Sequence, residues 1–232
     1  MNNHSFIKFS GIAAILSAVL FIASILGMQF YLASDLDNMD LFIANMNQSQ
    51  GMMLLYGWPG FVATLLILPL VQAIDVKNIS RSQFSKNIHT LTVIGLGFIL
   101  IGYMFHLALT YYYAPFYEEV AGSRDIAYLI KTIIGVQDMF WLAGDLLSFL
   151  GIALLTWIGL KDGYLPRWLV IWGTLAGTMA SIGSFGFIPQ FKSISALSLT
   201  FITGFSLFAI WEIVVGVYFI RQNSSSPIHS SN

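Results

Sequence analysis

Six stretches of about 20 predominantly apolar residues constrain the fold of this chain more than any other feature. A helix rises about 1.5 Å per residue, so about 20 residues cross a hydrocarbon core of roughly 30 Å. The stretches cover residues 9–31, 52–74, 90–112, 139–160, 168–188 and 197–220. The sequence therefore predicts an all-α integral membrane protein, a bundle of six transmembrane helices that forms a single domain over residues 1–221.

Composition agrees with a chain whose surface faces lipid. Only 9% of the 232 residues are charged, whereas soluble domains carry about 25%. We therefore expect the lipid bilayer to be the main partner; an oligomer is compatible with this surface, and no protein partner is identified. The net charge of -1 leaves no basic surface for nucleic acid. The absence of cysteine excludes thiolate nucleophiles and cysteine-bound metals.

Basic residues divide unevenly between the two sides of the predicted bundle. Seven of the 10 lie on one side, namely Lys8, Lys77, Arg81, Lys86, Lys161, Arg167 and Arg221. Because cytoplasmic loops are enriched in Lys and Arg, this distribution places the N and C termini in the cytoplasm. The serine-rich tail over residues 222–232 lacks apolar periodicity, so we expect it to be disordered.

The connection before the fourth stretch also carries a helical pattern. Its apolar residues recur at spacings of three and four, at Ile126, Leu129, Ile130 and Ile133. We therefore expect the fourth helix to begin near Arg124, outside the membrane.

Several scattered residues resemble a known family pattern. They are the segment from Gly163 to Leu169 with Gly173 and Gly177 after it, Gly11 in the first stretch, and Trp211 with Gly216 in the sixth. In these residues the chain resembles the bacterial membrane-protein family called domain of unknown function 4386. The resemblance extends over the whole chain in layout and implies a multi-pass protein of the bacterial plasma membrane, without implying an activity. Glu212 stands where the resemblance predicts an apolar residue.

A stripe of small residues marks the fifth stretch. Gly173, Gly177 and Ser181 follow one another at four-residue spacing, which lets a second helix backbone approach closely. We interpret the stripe as a helix-packing face, within one chain or between two.

Three ionisable residues fall at membrane depth, namely His106, Asp145 and Glu212. An aspartate at the centre of a transmembrane helix costs about 2.5–3.5 kcal/mol on insertion scales, so each position calls for an explanation. Tyr103 shares a helix face with His106, and Asp138 shares one with Asp145. These five residues form the candidate intramembrane polar site.

His106 and Asp145 each lie about two turns from the predicted outer ends of their helices. If the two helices pack antiparallel, their polar faces would form an outward-facing crevice with a His106–Asp145 hydrogen bond at its base. Such a pair would respond to pH near neutrality. Glu212 lies deeper, about 12 Å from the cytoplasmic boundary, too far to touch His106.

Cofactor and metal sites find no support in the sequence. A haem held by two histidines needs both at membrane depth, and His106 alone lies there. No stretch contains a lysine for a Schiff base, and the chain has no HExxH, GxSxG or P-loop motif. We therefore expect no cofactor and no metal, and we lean away from an enzyme.

Three functions remain compatible with the sequence. We favour a structural, regulatory or protective role in the cell membrane, in which the polar residues are packing partners. The alternative is a small proton- or cation-coupled transporter that uses His106, Asp145 and Glu212 as a relay. A third hypothesis is a membrane enzyme that acts on a lipid, with His106 as general base oriented by Asp145.

Overall fold

The structure, a computed structural model, describes residues 3–32, 39–77, 82–113, 115–116, 124–160, 163–187 and 195–222. Within these ranges the chain is helical almost throughout and contains no strand. Six helices are long and apolar enough to cross a membrane. The predicted all-α, six-helix architecture is confirmed. Of the predicted disordered tail, Gln222 is the last residue of a helix, and the remainder lies outside the described residues.

Seven α-helices make up the described part of the chain. They are α1 (Asn3–Leu32), α2 (Met39–Gln48), α3 (Gln50–Lys77), α4 (Gln83–Ala108), α5 (Arg124–Ile158), α6 (Arg167–Gly183) and α7 (Ser195–Gln222). A π-helical turn, Leu109–Tyr113, continues α4, and a 3-10 turn, Ser184–Phe187, continues α6. All except the short α2 are candidate membrane spans.

The six long helices form a closed ring in chain order. Helix α1 packs against α3, α3 against α4, α4 against α5, α5 against α6, α6 against α7, and α7 against α1. Consecutive spans are therefore neighbours, as short connections between antiparallel helices favour. We call the end of the bundle that carries α2 the α2 end, and the opposite end the terminal end, because α1 begins and α7 finishes there.

Helix α1 has an apolar outer face over residues 9–26. Six large apolar side chains on its outer face are 42% to 54% exposed, namely Phe9, Ile12, Leu16, Val19, Ile22 and Leu26. On its inner face, Ser10, Ser17 and Ser24 are buried. This polarity is the reverse of a soluble amphipathic helix, which turns its apolar stripe inward, and it suits a helix whose solvent is lipid.

Helix α5 extends beyond what a membrane crossing needs. It begins at Arg124, as predicted, and continues through Gly135 to Ile158 without interruption. Its 35 residues correspond to about 52 Å, against roughly 30 Å of hydrocarbon. In the extension Ile130 and Ile134 are buried, whereas Leu129 is 49% exposed.

Helix α2 is a feature that the sequence pattern did not predict. Its residues Phe42 and Ile43 are completely buried and join the hydrophobic core of the bundle. Helix α2 therefore contributes two side chains to the hydrophobic core at this end of the bundle.

The turn before α6 depends on one glycine. Gly163 has a φ of +64°. This left-handed backbone conformation is unfavourable for any residue that carries a side chain. The turn lets Tyr164 and Leu165 fold back into buried positions, and Pro166 then precedes the first residue of α6.

Small residues let the backbones of α1 and α7 approach closely. A Cβ atom built at Gly216 would lie 2.5 Å from the Gly11 carbonyl oxygen, and one at Gly11 would lie 2.6 Å from the Gly216 carbonyl oxygen. The two glycines therefore face each other across the contact that closes the ring.

The small-residue stripe of the fifth span packs within the chain. A Cβ at Gly173 would lie 2.5 Å from Cε2 of Trp211, and one at Gly177 would lie 2.7 Å from the Phe149 carbonyl oxygen. Ser181 is also buried. Gly173 thus contacts α7, and Gly177 contacts α5.

We expect Gly216→Ala to lower the free energy of unfolding by about 1–3 kcal/mol, because the new methyl group forces the ring apart at α1 and α7. Gly97→Ala in α4 is the matched control, since a Cβ there meets no atom within 4 Å. Thermal denaturation of the purified protein measures both. Equal melting temperatures for Gly216→Ala and Gly97→Ala would contradict the close contact.

Candidate functional site

Helix α3 provides backbone acceptors for side chains of its neighbours. Ser17 and Ser24 on α1 donate from their hydroxyls to the carbonyl oxygens of Ala63, at 3.1 Å, and Tyr56, at 2.7 Å. His106 on α4 lies with Nε2 3.0 Å from the carbonyl oxygen of Met53. Because a carbonyl oxygen only accepts, this ring nitrogen carries the hydrogen. Polar side chains of α1 and α4 are therefore tied to α3.

A glycine makes the His106 contact possible. A Cβ at Gly57 would lie 3.1 Å from Cδ2 of His106 and 2.6 Å from Cδ2 of Leu107. The missing side chain thus leaves room for the imidazole against α3. His106 is completely buried there.

Aromatic rings from two neighbouring helices, α3 and α5, lie against the imidazole. The Tyr56 ring centroid lies 4.8 Å from that of His106, in an edge-to-face arrangement. The Trp141 centroid lies 6.2 Å from His106 and 5.8 Å from Tyr103. The predicted polar faces of the third and fourth spans therefore contact each other, and the rings of Trp141 and Tyr103 make this contact.

The predicted His106–Asp145 hydrogen bond is wrong. Asp145 Oδ2 lies 3.3 Å from the Ser184 hydroxyl, which shares its single hydrogen with the nearer Ala180 carbonyl oxygen at 2.9 Å, whereas His106 is bonded to Met53. Ser184 lies in the 3-10 turn after α6. The spacing of residues along the sequence does not predict how close this turn comes to α5. Asp145 is thus tied toward α6, and His106 toward α3.

A small cavity lies inside the ring, toward the α2 end. Its volume is about 40 Å³. Seven of its lining residues are aromatic, namely Phe21, Tyr56, Tyr103, Trp141, Phe149, Phe201 and Phe205. Asp145 and Ser24 supply polar atoms to the wall, and Ile25 and Ile99 complete it. Of the five residues predicted for the polar site, the described cavity wall contains Tyr103 and Asp145.

The other predicted site residues lie elsewhere. Asp138 is partly buried, seven residues before Asp145 on α5, and does not line the cavity. Glu212 is completely buried on α7, where Oε1 lies 3.3 Å from the Ser17 hydroxyl, whose single hydrogen it shares with the nearer Ala63 carbonyl oxygen. Its other carboxyl oxygen has no hydrogen-bond partner among the described residues.

An aromatic layer separates Glu212 from the cavity. Phe205 lines the cavity, and Phe208 follows one turn later on α7, before Glu212. The Phe208 ring packs against Phe149, with centroids 5.0 Å apart, and against Trp211, at 5.4 Å. Of the three predicted ionisable residues, Asp145 lines the described cavity, whereas His106 and Glu212 do not.

Sequence reasoning missed the serines of the site. Ser10, Ser17 and Ser24 recur every seven residues in the first span and are all buried. A seven-residue repeat of polar residues inside an apolar stretch marks one helix face, so the pattern was available in the sequence. Ser184 carries no such signal, because it lies alone at the end of α6.

No metal centre emerges from the described ranges. Within them, no group of three or more His, Asp or Glu side chains comes together in a way that could hold a metal ion.

Comparison with known protein families gives one match. Residues 9–222 match the family described as a domain of unknown function, DUF4386. The chain belongs to the DUF4386 family. No curated protein and no solved structure matches it.

In this DUF4386 protein, residues that carry the family resemblance contact one another. Trp211 on α7 donates from Nε1 to the Leu169 carbonyl oxygen of α6, at 2.9 Å, and its ring covers Gly173. Gly11 meets Gly216 in the same way between α1 and α7. These positions therefore hold α7 against both of its neighbours in the ring.

We expect His106→Leu to destabilise this DUF4386 protein by about 0.6–1.7 kcal/mol, the range for hydrogen bonds inside membrane proteins. The leucine removes the donor to Met53 and fills the space of the imidazole in the aromatic cluster with an apolar side chain. Met104→Leu on the same helix is the control, since Met104 is 60% exposed. Thermal denaturation compares the two variants. A melting temperature for His106→Leu at or above that of Met104→Leu would contradict a stabilising bond.

Proposed function

We propose that this protein is a structural or regulatory component of the bacterial plasma membrane, a scaffold whose buried polar side chains lock its six helices together. One observation carries the proposal. Each of the three intramembrane ionisable residues, His106, Asp145 and Glu212, has a hydrogen-bond partner on another element of the bundle. Polar side chains that bond between helices are the ordinary means of holding a membrane bundle together.

The relay that a transporter needs has weaker support. A relay passes protons or cations between groups that share a polar path, whereas Asp145 lines the cavity and Glu212 lies beyond Phe208. Catalysis by His106 has weaker support as well, because Asp145 is not bonded to the imidazole and cannot orient it.

The distribution of charge supports an orientation with the terminal end in the cytoplasm. Among the side chains that the structure describes, four exposed basic ones lie at that end, namely Lys8, Lys86, Arg167 and Arg221. Lys131 is exposed in the extension of α5, toward the α2 end. Cytoplasmic enrichment of Lys and Arg then points the terminal end inward, with the lipid bilayer as the partner of the apolar outer face.

Proton flux into liposomes tests the scaffold role against transport. Purified protein in liposomes, under an imposed pH gradient and potential, is expected to conduct no more than empty liposomes do. The same result is expected for His106→Ala, Asp145→Asn and Glu212→Gln. Flux in the wild type that all three folded variants lose would identify a relay and overturn the scaffold role.

Cysteine labelling tests the orientation, and the chain suits it because it contains no cysteine. Asp125 at the α2 end and Gln83 at the terminal end are both exposed. In intact cells a membrane-impermeant maleimide is expected to label Asp125→Cys and to spare Gln83→Cys. Permeabilised cells, in which both variants react, are the control. The opposite labelling in intact cells would reverse the orientation.

A further inference from the structure

We propose that the cavity inside the ring binds a small ammonium-type cation, such as ammonium or methylammonium, against the carboxylate of Asp145. The site would lie within the α2 half of the bundle and would be built by side chains of α1, α3, α4, α5 and α7. It is independent of the scaffold role, because binding needs neither flux nor chemistry.

The first argument is charge. Asp145 is buried, with 7% of its surface exposed, and it lines the cavity. Ser184 donates to Oδ2, and in the described part of the chain no basic side chain pairs with this carboxylate. A buried carboxylate without a cation is costly, so Asp145 either holds a proton or has a cation beside it. A bound cation in the cavity would supply the missing positive charge.

The second argument is the nature of the walls. Tyr56, Tyr103 and Trp141 pack around the space, with ring centroids 5.4 to 5.8 Å apart. Phe149 and Phe205 add two further rings, 5.5 Å apart. Aromatic rings attract cations through their negative faces and suit alkylammonium ions in particular. Mg²⁺ and Ca²⁺ take about six or more oxygen ligands, more than the side chains of Asp145, Ser24, Tyr56 and Tyr103 supply at this wall.

The third argument is size. A single water needs about 10–15 Å³ of such volume, and a cavity of about 150 Å³ accepts benzene. The 40 Å³ measured here therefore suits a ligand of roughly one to three non-hydrogen atoms. Methylammonium fits that limit, whereas tetraethylammonium exceeds it.

The polar atoms are placed to complete the site. Asp145, Tyr103 and Ser24 line the same cavity, and the Ser24 hydroxyl donates its hydrogen to the Tyr56 carbonyl oxygen at 2.7 Å. An ammonium group beside Asp145 would offer its N–H groups to the carboxylate and to the phenol oxygen. The cavity is also within reach of the α2 end, because Phe201 lies six residues into α7, about 9 Å along the helix.

Binding in acid would be an exchange of cations. The ammonium ion enters, the Asp145 carboxyl group releases its proton to solvent, and the charge of the site stays the same. The titratable side chains that face Asp145 across the cavity are the phenols of Tyr56 and Tyr103; the described residues of α1 and α7 in the wall contribute none. One proton should therefore leave for each cation bound in acidic solution.

Calorimetric titration of the purified full-length protein with methylammonium chloride tests the proposal. Sodium chloride at equal ionic strength and tetraethylammonium chloride are the ligand controls. Asp145→Asn keeps an acceptor for Ser184 and removes the charge, so we expect it to weaken methylammonium binding by about tenfold or more. Glu212→Gln is the matched control, because it neutralises the other buried carboxyl group of the bundle outside the cavity wall. We expect its affinity to equal that of the wild type.

Three results would overturn the site: no saturable heat with methylammonium, equal affinity in Asp145→Asn and the wild type, or equal response to tetraethylammonium or sodium. If Asp145→Asn does not fold, proton release by the wild type decides instead. Titration in weakly buffered acidic solution is expected to release about one proton per methylammonium bound. Saturable binding without proton release would overturn the site at Asp145.

Discussion

The rest of the structure depends on the hydrogen bonds that side chains of α1 and α4 donate to the backbone of α3. In a hydrocarbon core no water competes for a carbonyl oxygen, so a donor that reaches one keeps it. His106, Ser17 and Ser24 use such acceptors, and Gly57 leaves the room for His106. These bonds fix how α1 and α4 are rotated about their axes. That rotation in turn decides which side chains face the inside of the ring.

Hydrogen bonds to different elements hold apart the three ionisable residues that the sequence predicted as one site. His106 is held against α3, Asp145 against the turn after α6, and Glu212 against α1. Each polar residue thereby ties one pair of neighbouring elements, which favours a scaffold. Asp145 differs from the other two because it also lines a cavity of aromatic rings. One residue can therefore serve the packing and offer a charge to a small ligand.

Particular residues mark how far prediction from the sequence reached. The spans and the start of α5 at Arg124 followed from apolar length and periodicity, because the thickness of the bilayer and the pitch of the helix fix both. The five-residue polar site was predicted as one group, and the structure brings two of its members, Tyr103 and Asp145, to the cavity. Ser184 and helix α2 were missed, since each gains its place only from contacts with distant segments.

The sequence by itself determined that the chain forms six apolar helices, since apolar stretches of this length have one stable arrangement in lipid. Only the tertiary structure decided which partner each polar side chain takes. The reason is geometric: a shift of one residue turns a side chain by about 100° and moves it about 1.5 Å along the helix. An apolar stretch tolerates several such shifts equally well, so the choice of Met53 for His106 and of Ser184 for Asp145 rests with the packing of the neighbouring helices.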